Sequence, residues 1–387
     1  MSFIIGVSSI ILSIALQIIF IEAEKNNEFG LIYVLDDELD LELIDSTCMV
    51  LKEIKLERME IPEKELPVME WINVLSSENG FGVFKVLEHL KHKFLGNHCN
   101  IRDDDNMLGS PLQLVEPLQT VISDGVHGAH PDWIVMTLAV ELQKHKGDHM
   151  TFAQIDLPHD ADLNYLLKDF RKSLSIMSSL AQNDSLRTTA LRVYDGDMEQ
   201  LVKDRLTLIH LMKVWAPLEP VGFSPLAFTP HPKKDNVHTC HTHSSTATFH
   251  ILTDNSHDEK PQKWYTRYDM PVGEMYVWNA TSVAFAAVCI DEDDEEDNVT
   301  YNPIVSIDTL VMIVKPNVDL NTLTSSGDET SELCYTKSFY RQVLDSNGGD
   351  EEVTEEVLKS IGYPRSCSQS KRPRQTQSDQ AVKESQS

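Results

Sequence analysis

At 387 residues the chain can bury a large core and has length for one large or two modest domains. Hydrophobic residues at 41% and charged residues at 24% are globular proportions and exclude wholesale disorder. Against 33 basic residues stand 61 acidic ones, and the formal charge of −28 repels phosphate backbones and excludes a nucleic-acid partner.

From Phe3 to Ile21 the chain is almost wholly apolar, broken by Gly6, a few serines and Gln17, before Glu22 opens a polar stretch. Residues 1–23 read as a secretory signal peptide with Ala23 at the cleavage position, and Glu24 starts the mature chain. An uncleaved membrane anchor over residues 3–21 and a buried helix are the alternatives, since a basic flank is missing and the length suffices to span. Residues 24–74 hold alternating stretches, Leu31 to Leu35 and Met49 to Leu56, expected as strands packing on the core. Apolar residues recur at helical intervals over Val86–Phe94, Pro131–Lys144, Asp162–Leu180 and Met198–Met212, which predicts helices.

From Val214 the texture changes to short apolar runs parted by Pro, Gly, Asn and Asp. Strands are predicted at Thr246–Leu252, Lys263–Tyr268, Glu274–Val277, Ser282–Cys289 and Val305–Val314. Helices followed by strands indicate an α+β fold, with the strands in a sandwich or open barrel. The acidic run Asp291–Asp297 reads as a solvated loop. Residues 75–320 are expected to form the main domain and 321–362 a peripheral segment. The Ser, Gln, Lys and Arg of residues 363–387 cannot bury enough surface to fold.

Three sequons (Asn183-Asp-Ser, Asn279-Ala-Thr and Asn298-Val-Thr) agree with a secreted glycoprotein. Six scattered cysteines (Cys48, Cys99, Cys240, Cys289, Cys334 and Cys367) contain no CxxC pair, so one to three disulfides of open connectivity are expected in an oxidising compartment. The densest donor cluster is His238-Thr-Cys240-His241-Thr-His243. In a strand His241 and His243 share a face and are the candidates to hold zinc or copper. The triplet His130-Pro-Asp132, preceded by His127, reads as a loop entering a helix. No GxGxxG, GxxxxGK[ST], GxSxG or HExxH motif occurs.

Three blocks resemble one known family. Lys213-Val-Trp-Ala-Pro-Leu with Pro220-Val and Pro225-Leu-Ala is similar to "NVWRP…PV…PLALCD". Lys263-Trp-Tyr-Thr-Arg-Tyr-Asp-Met-Pro-Val-Gly-Glu is similar to "RWYYFPDMTPDE", and Val305-Ser-Ile-Asp-Thr-Leu-Val to "ESIEVRALV". A shorter echo is Asn79-Gly-Phe-Gly-Val-Phe-Lys. These resemble the blocks of the hydroxylase/desaturase family of natural-product pathways, which includes gibberellin desaturase-like and aspergillic-acid-type enzymes. The resemblance implies a double-stranded β-helix (jelly-roll-like) core with flanking helices, a small organic substrate, and Fe(II) with 2-oxoglutarate as cofactors.

Such chemistry places two imidazoles and a carboxylate on one face of iron and a cation on the co-substrate. In the resemblance the family's HxD falls on Gln154-Ile-Asp156, leaving Asp156 as the surviving ligand position. No His occurs in Val283–Ile290, where the distal ligand belongs. Ala216, Ile304 and Leu310 stand where the family has arginines. Three readings follow: an oxidoreductase with an altered site, a non-catalytic secreted binding or interaction protein, or a secreted metal-binding protein using the His238–His243 tract. Trp215, Trp264, Tyr265 and Trp278 read as core packing in either case.

Overall fold

Apolar runs closed by turn residues become strands wherever a neighbour takes up their backbone hydrogen bonds. The computed structural model describes residues 28–32, 53–59, 64–86, 112–145, 153–218, 220–221, 225–232, 237–241, 248–252, 262–267, 270–289, 304–317 and 332–367. The signal-peptide or anchor segment, the acidic run, Asn298 and most of the tail lie outside them.

In chain order the first elements are β1 (Glu28–Ile32), β2 (Glu53–Arg58), α1 (Val68–Leu75), β3 (Phe81–Lys85), α2 (Leu112–Ala129), β4 (Ile134–His145) and β5 (Gln154–Ile155). A helical stretch follows, α3 (Leu163–Lys168), α4 (Phe170–Gln182), α5 (Asp184–Val193) and α6 (Met198–Arg205). The strands β6 (Leu206–Pro217), β7 (Leu226–Pro230), β8 (Val237–His241), β9 (Thr248–Leu252), β10 (Lys263–Thr266), β11 (Glu274–Asn279), β12 (Val283–Cys289) and β13 (Ile304–Pro316) come next. The described chain ends with β14 (Cys334–Tyr335), α7 (Lys337–Ser346), α8 (Glu351–Ser360) and β15 (Arg365–Ser366). The class is α+β, as the order of patterns predicts.

One sheet has the order β3-β11-β6-β13-β4, with every pairing antiparallel. Its strands alternate with period two. Met212, Val214 and Ala216 of β6 join Met275 and Val277 of β11 and Ile307, Val311 and Ile313 of β13 against Trp71, Leu118 and Ile122 of α1 and α2. The opposite face carries Trp215, Tyr276 and Trp278, which meet Phe228 of β7 and Phe285 of β12 from the second sheet. Phe228 lies 4.6 Å from Tyr276 and 5.1 Å from Trp278 between ring centroids, and Trp278 lies 5.3 Å from Phe285. The sandwich is therefore sealed by aromatic rings reaching across it.

The second sheet runs β1-β2-β10-β7-β12-β5-β9-β8, with β2 and β10 parallel. Strand β1 also pairs with β12, so β1, β2, β10, β7 and β12 close a ring. Trp264, 1% exposed, packs in one cluster with Ile54, Leu56 and Val288 and with three alanines, Ala227, Ala284 and Ala286. Small residues on β7 and β12 leave the volume that one indole fills.

Two helix expectations give way to strands. Residues 134–145 form β4, paired with β13 along its length. Val135 enters the cluster under α1 and α2, whereas Met136 and Leu138 enter the cluster under α4. A strand buried on both faces shows no alternation, so its apolar residues fall at helical intervals by coincidence. The stretch Met198–Met212 is helical only to Arg205, and from Leu206 the chain pairs with β13. The helix expected over Asp162–Leu180 is two helices, broken at the extended Asp169. Residues 87–94 of the helix expected at Val86–Phe94 lie outside the described residues.

Each helix from α3 to α6 starts with a side chain that accepts from a backbone N–H three residues on: Asp162, Asp169, Asn183 and Asp197. Thr336 and Asp350 do the same for α7 and α8. Each such cap is worth about 1 kcal/mol, enough to hold short helices in register against the sheet.

Residues 332–367 are anchored in the same core. Phe339, Val343, Leu358 and Tyr363 pack with Leu180, Leu201, Met312 and Val314. The Tyr363 hydroxyl donates to the Met177 carbonyl at 2.9 Å, and burial raises its pKa. Parallel pairing of β14 with β15 and a Cys334–Cys367 disulfide hold the chain to Cys367, past the point where polar composition sets the start of the tail. The bridge spans a sequence separation of 33, and loop closure of that length stabilises by about 4 kcal/mol. Cys334→Ser with Cys367→Ser is expected to lower the unfolding free energy by about 2–4 kcal/mol in urea titration. Equal midpoints for the variant and the wild type would contradict the assignment.

Candidate functional site

Strand β6 carries an inward-facing lysine in an apolar run, Leu211-Met-Lys213-Val-Trp215. Strand β13 beside it carries an inward aspartate in Ile307-Asp308-Thr309. Register sets Lys213 opposite Trp278 of β11 on one side and Leu310 of β13 on the other, with Asp308 one step along, opposite Trp215. Asp156 reaches the same place from the second sheet, in the turn after β5. The Leu157 N–H donating to the Ala280 carbonyl at 3.0 Å ties that turn to the loop after β11.

The Lys213 ammonium sits between the two carboxylates, 3.2 Å from Asp156 Oδ1 and 2.9 Å from Asp308 Oδ1. The Trp278 Nε1–H donates to Asp156 Oδ2 at 2.9 Å, so both oxygens of Asp156 are engaged. The side chains of Lys213, Asp156 and Asp308 are 15%, 12% and 10% exposed. Burial by itself would lower the lysine pKa, but Asp156 and then Asp308 outweigh it and hold the ammonium well above its ordinary value. An amine held in its charged form by two carboxylates lacks the lone pair that nucleophilic or general-base work needs. A second inward ion pair, Arg267 Nε to Glu274 Oε2 at 3.1 Å, lies beside the buried Tyr276, whose pKa burial raises to well above the usual range.

The other candidates are placed as follows. Gln154 lies in β5, its backbone paired with Phe285 and Ile251. His241 ends β8, the last strand of its sheet, opposite Thr248, while His243 lies outside the described residues. Leu310, at a family arginine position, is packed in the apolar cluster under the helices, and Ala216 is buried beneath α1 and α2. His130 does not enter a helix. It follows α2 and stacks on Trp133, 3.9 Å between centroids, and His127 Nε2 donates to the Trp133 carbonyl at 2.7 Å. The segment continues into β4 because its partner β13 is already there.

No three His, Cys, Asp or Glu side chains gather as a metal site among the described residues. Among the described residues, the groups around Asp156 do not fit an iron centre of two imidazoles and one carboxylate. The position facing its oxygens is filled by a cation of the chain and by an indole donor. Sequence reading singled out Asp156 as a surviving ligand position and did not single out Lys213 or Asp308 beside it. The signal for them is a lysine and an aspartate at inward positions of two largely apolar strands, since such charges are almost never buried unpaired.

No family model matches the chain, and no curated protein matches it. Among solved structures it is similar to an iron and alpha-ketoglutarate-dependent endoperoxidase, NvfI, at 13% identity and a TM-score of 0.40, covering 75% of this chain and 98% of that one. It is also similar to the non-heme alpha ketoglutarate-dependent epimerase SnoN of nogalamycin biosynthesis, at 13% identity and a TM-score of 0.30, covering 68% and 93%. A third is iron-bound HygX of Streptomyces hygroscopicus, at 10% identity and a TM-score of 0.25, covering 64% and 86%. At these values the likenesses assign neither family nor activity to the chain.

Proposed function

We propose that this chain is a non-catalytic binding or interaction protein of the secretory route. In this reading it is built on a distorted double-stranded β-helix of the oxygenase type, in which the iron position has become a structural ion-pair network. The observation that carries it is the Lys213 ammonium between Asp156 and Asp308. A buried carboxylate with one oxygen on an ammonium and the other on an indole N–H presents iron no open oxygen, and displacing that lysine leaves an uncompensated cation in the core. The Cys334–Cys367 disulfide supports an oxidising compartment, as do the apolar leader and the sequons. Glycosylation at Asn183, Asn279 or Asn298 belongs to the same reading, and a small organic molecule is the ligand class that the family resemblance brings with it.

Anaerobic reconstitution of purified protein with Fe(II) and 2-oxoglutarate, followed by admission of oxygen, tests the proposal. Expected are loss of iron on desalting and succinate at the level of a protein-free control. Stoichiometric iron with 2-oxoglutarate turnover overturns it.

A further inference from the structure

Two carboxylates converge on one buried point, and the chain itself supplies the cation at that point. They come from different places, Asp308 from β13 and Asp156 from the turn after β5, so folding alone brings them together. Two carboxylates and one ammonium leave the cluster with one negative charge in excess, which a divalent cation in the ammonium's place removes. Trp278 holds Asp156 through Oδ2, which keeps Oδ1 aimed at the common point whether or not the lysine is there. Oxygens at 3.2 and 2.9 Å from that point lie outside the roughly 2.3–2.6 Å of calcium coordination, so the Asp156 oxygen need move inward by about 0.6–0.9 Å and the Asp308 oxygen by about 0.3–0.6 Å.

We infer that Lys213 is a built-in counter-cation that keeps a two-carboxylate site, Asp156 with Asp308, closed to hard divalent cations, and that removing its side chain opens the site. The donors are oxygens, so the ions it takes are of the Ca²⁺ and Mn²⁺ class. This is a different donor set from the two imidazoles and one carboxylate of an iron oxygenase. The inference rests on the reading of Asp156 as structurally engaged, and its test is separate from the turnover assay.

Lys213→Ser removes the ammonium together with the stem that fills the slot. Mn²⁺ is the probe, read by loss of the free-ion electron paramagnetic resonance signal. Lys213→Ser is expected to take up one Mn²⁺ per chain with a Kd of about 0.1 mM, the range of weak oxygen-donor sites. Its thermal midpoint should rise with added Mn²⁺. Wild type and Lys213→Ser/Asp308→Asn should take up none. The inference is overturned if folded Lys213→Ser takes up no Mn²⁺, if the wild type takes it up equally, or if Mn²⁺ at about 1 mM, some tenfold above that Kd, fails to raise the folded-to-unfolded ratio of a largely unfolded Lys213→Ser chain by about tenfold. Iron-dependent turnover by the wild type would end the proposed function, while the Lys213→Ser titration decides the counter-cation inference by its own result.

Discussion

Lys213→Met is expected to cost about 3–5 kcal/mol of stability, because the change keeps the volume of the side chain and leaves two buried carboxylates facing each other without a counter-charge. Asp156→Asn added to Lys213→Met should return part of that loss, since the two sites share one network and their effects do not add. The pH dependence follows from the raised pKa of Lys213. A cationic group with a folded pKa above its unfolded value stabilises fully below the unfolded value, near about 10.4, and that contribution fades as pH rises through the folded one. Wild-type stability should therefore fall above about pH 10 more steeply than that of Lys213→Met, by up to about 1.4 kcal/mol per pH unit. Denaturant midpoints measured from about pH 8 to 11 check both statements. A Lys213→Met midpoint within error of the wild type would mean that the ammonium is not the counter-charge of the network.

Trp264→Ala is expected to cost about 3–5 kcal/mol, the usual loss when a fully buried aromatic is cut to a methyl and the site cannot collapse. Collapse is hindered here because the indole's neighbours include Ala227, Ala284 and Ala286, which have no side-chain length to move inward. The same ring of strands joins β12 to β1 and β2, so loosening it weakens the attachment of the N-terminal strands to the sandwich. Urea titration measures the loss, and hydrogen exchange of the β2 amides locates it. A cost under about 1 kcal/mol would show that the ring relaxes around the gap.

The strands β10 to β13 are readable because turn residues part the apolar runs: Pro271 and Gly273 before β11, and Thr281 and Ser282 before β12. Strand β4 is not, because Val135 and Met136 are buried on opposite faces and the alternation that marks a strand disappears. Trp215 and Trp264 are the packing residues that the sequence suggests. Trp278 is that and also the donor that fixes Asp156, a role visible only when β11 and the turn after β5 are brought together. Asp156 is legible as a lone carboxylate beside Gln154. Its meaning depends on Lys213 and Asp308, which lie far along the chain and meet it only through sheet register. Gly196, with φ of +90° and the Glu332 carbonyl 2.4 Å from where a Cβ would sit, lets the C-terminal segment lie against the start of α6. Composition holds no hint of that contact.

The most direct test of the ion-pair network is a crystal structure of the wild-type protein after anaerobic soaking in Fe(II) and 2-oxoglutarate. The account predicts Lys213 Nζ within hydrogen-bond distance of both Asp156 and Asp308, the Trp278 indole on the other oxygen of Asp156, and no anomalous iron peak at the site. An iron ion bound to Asp156, with Lys213 displaced, would contradict it.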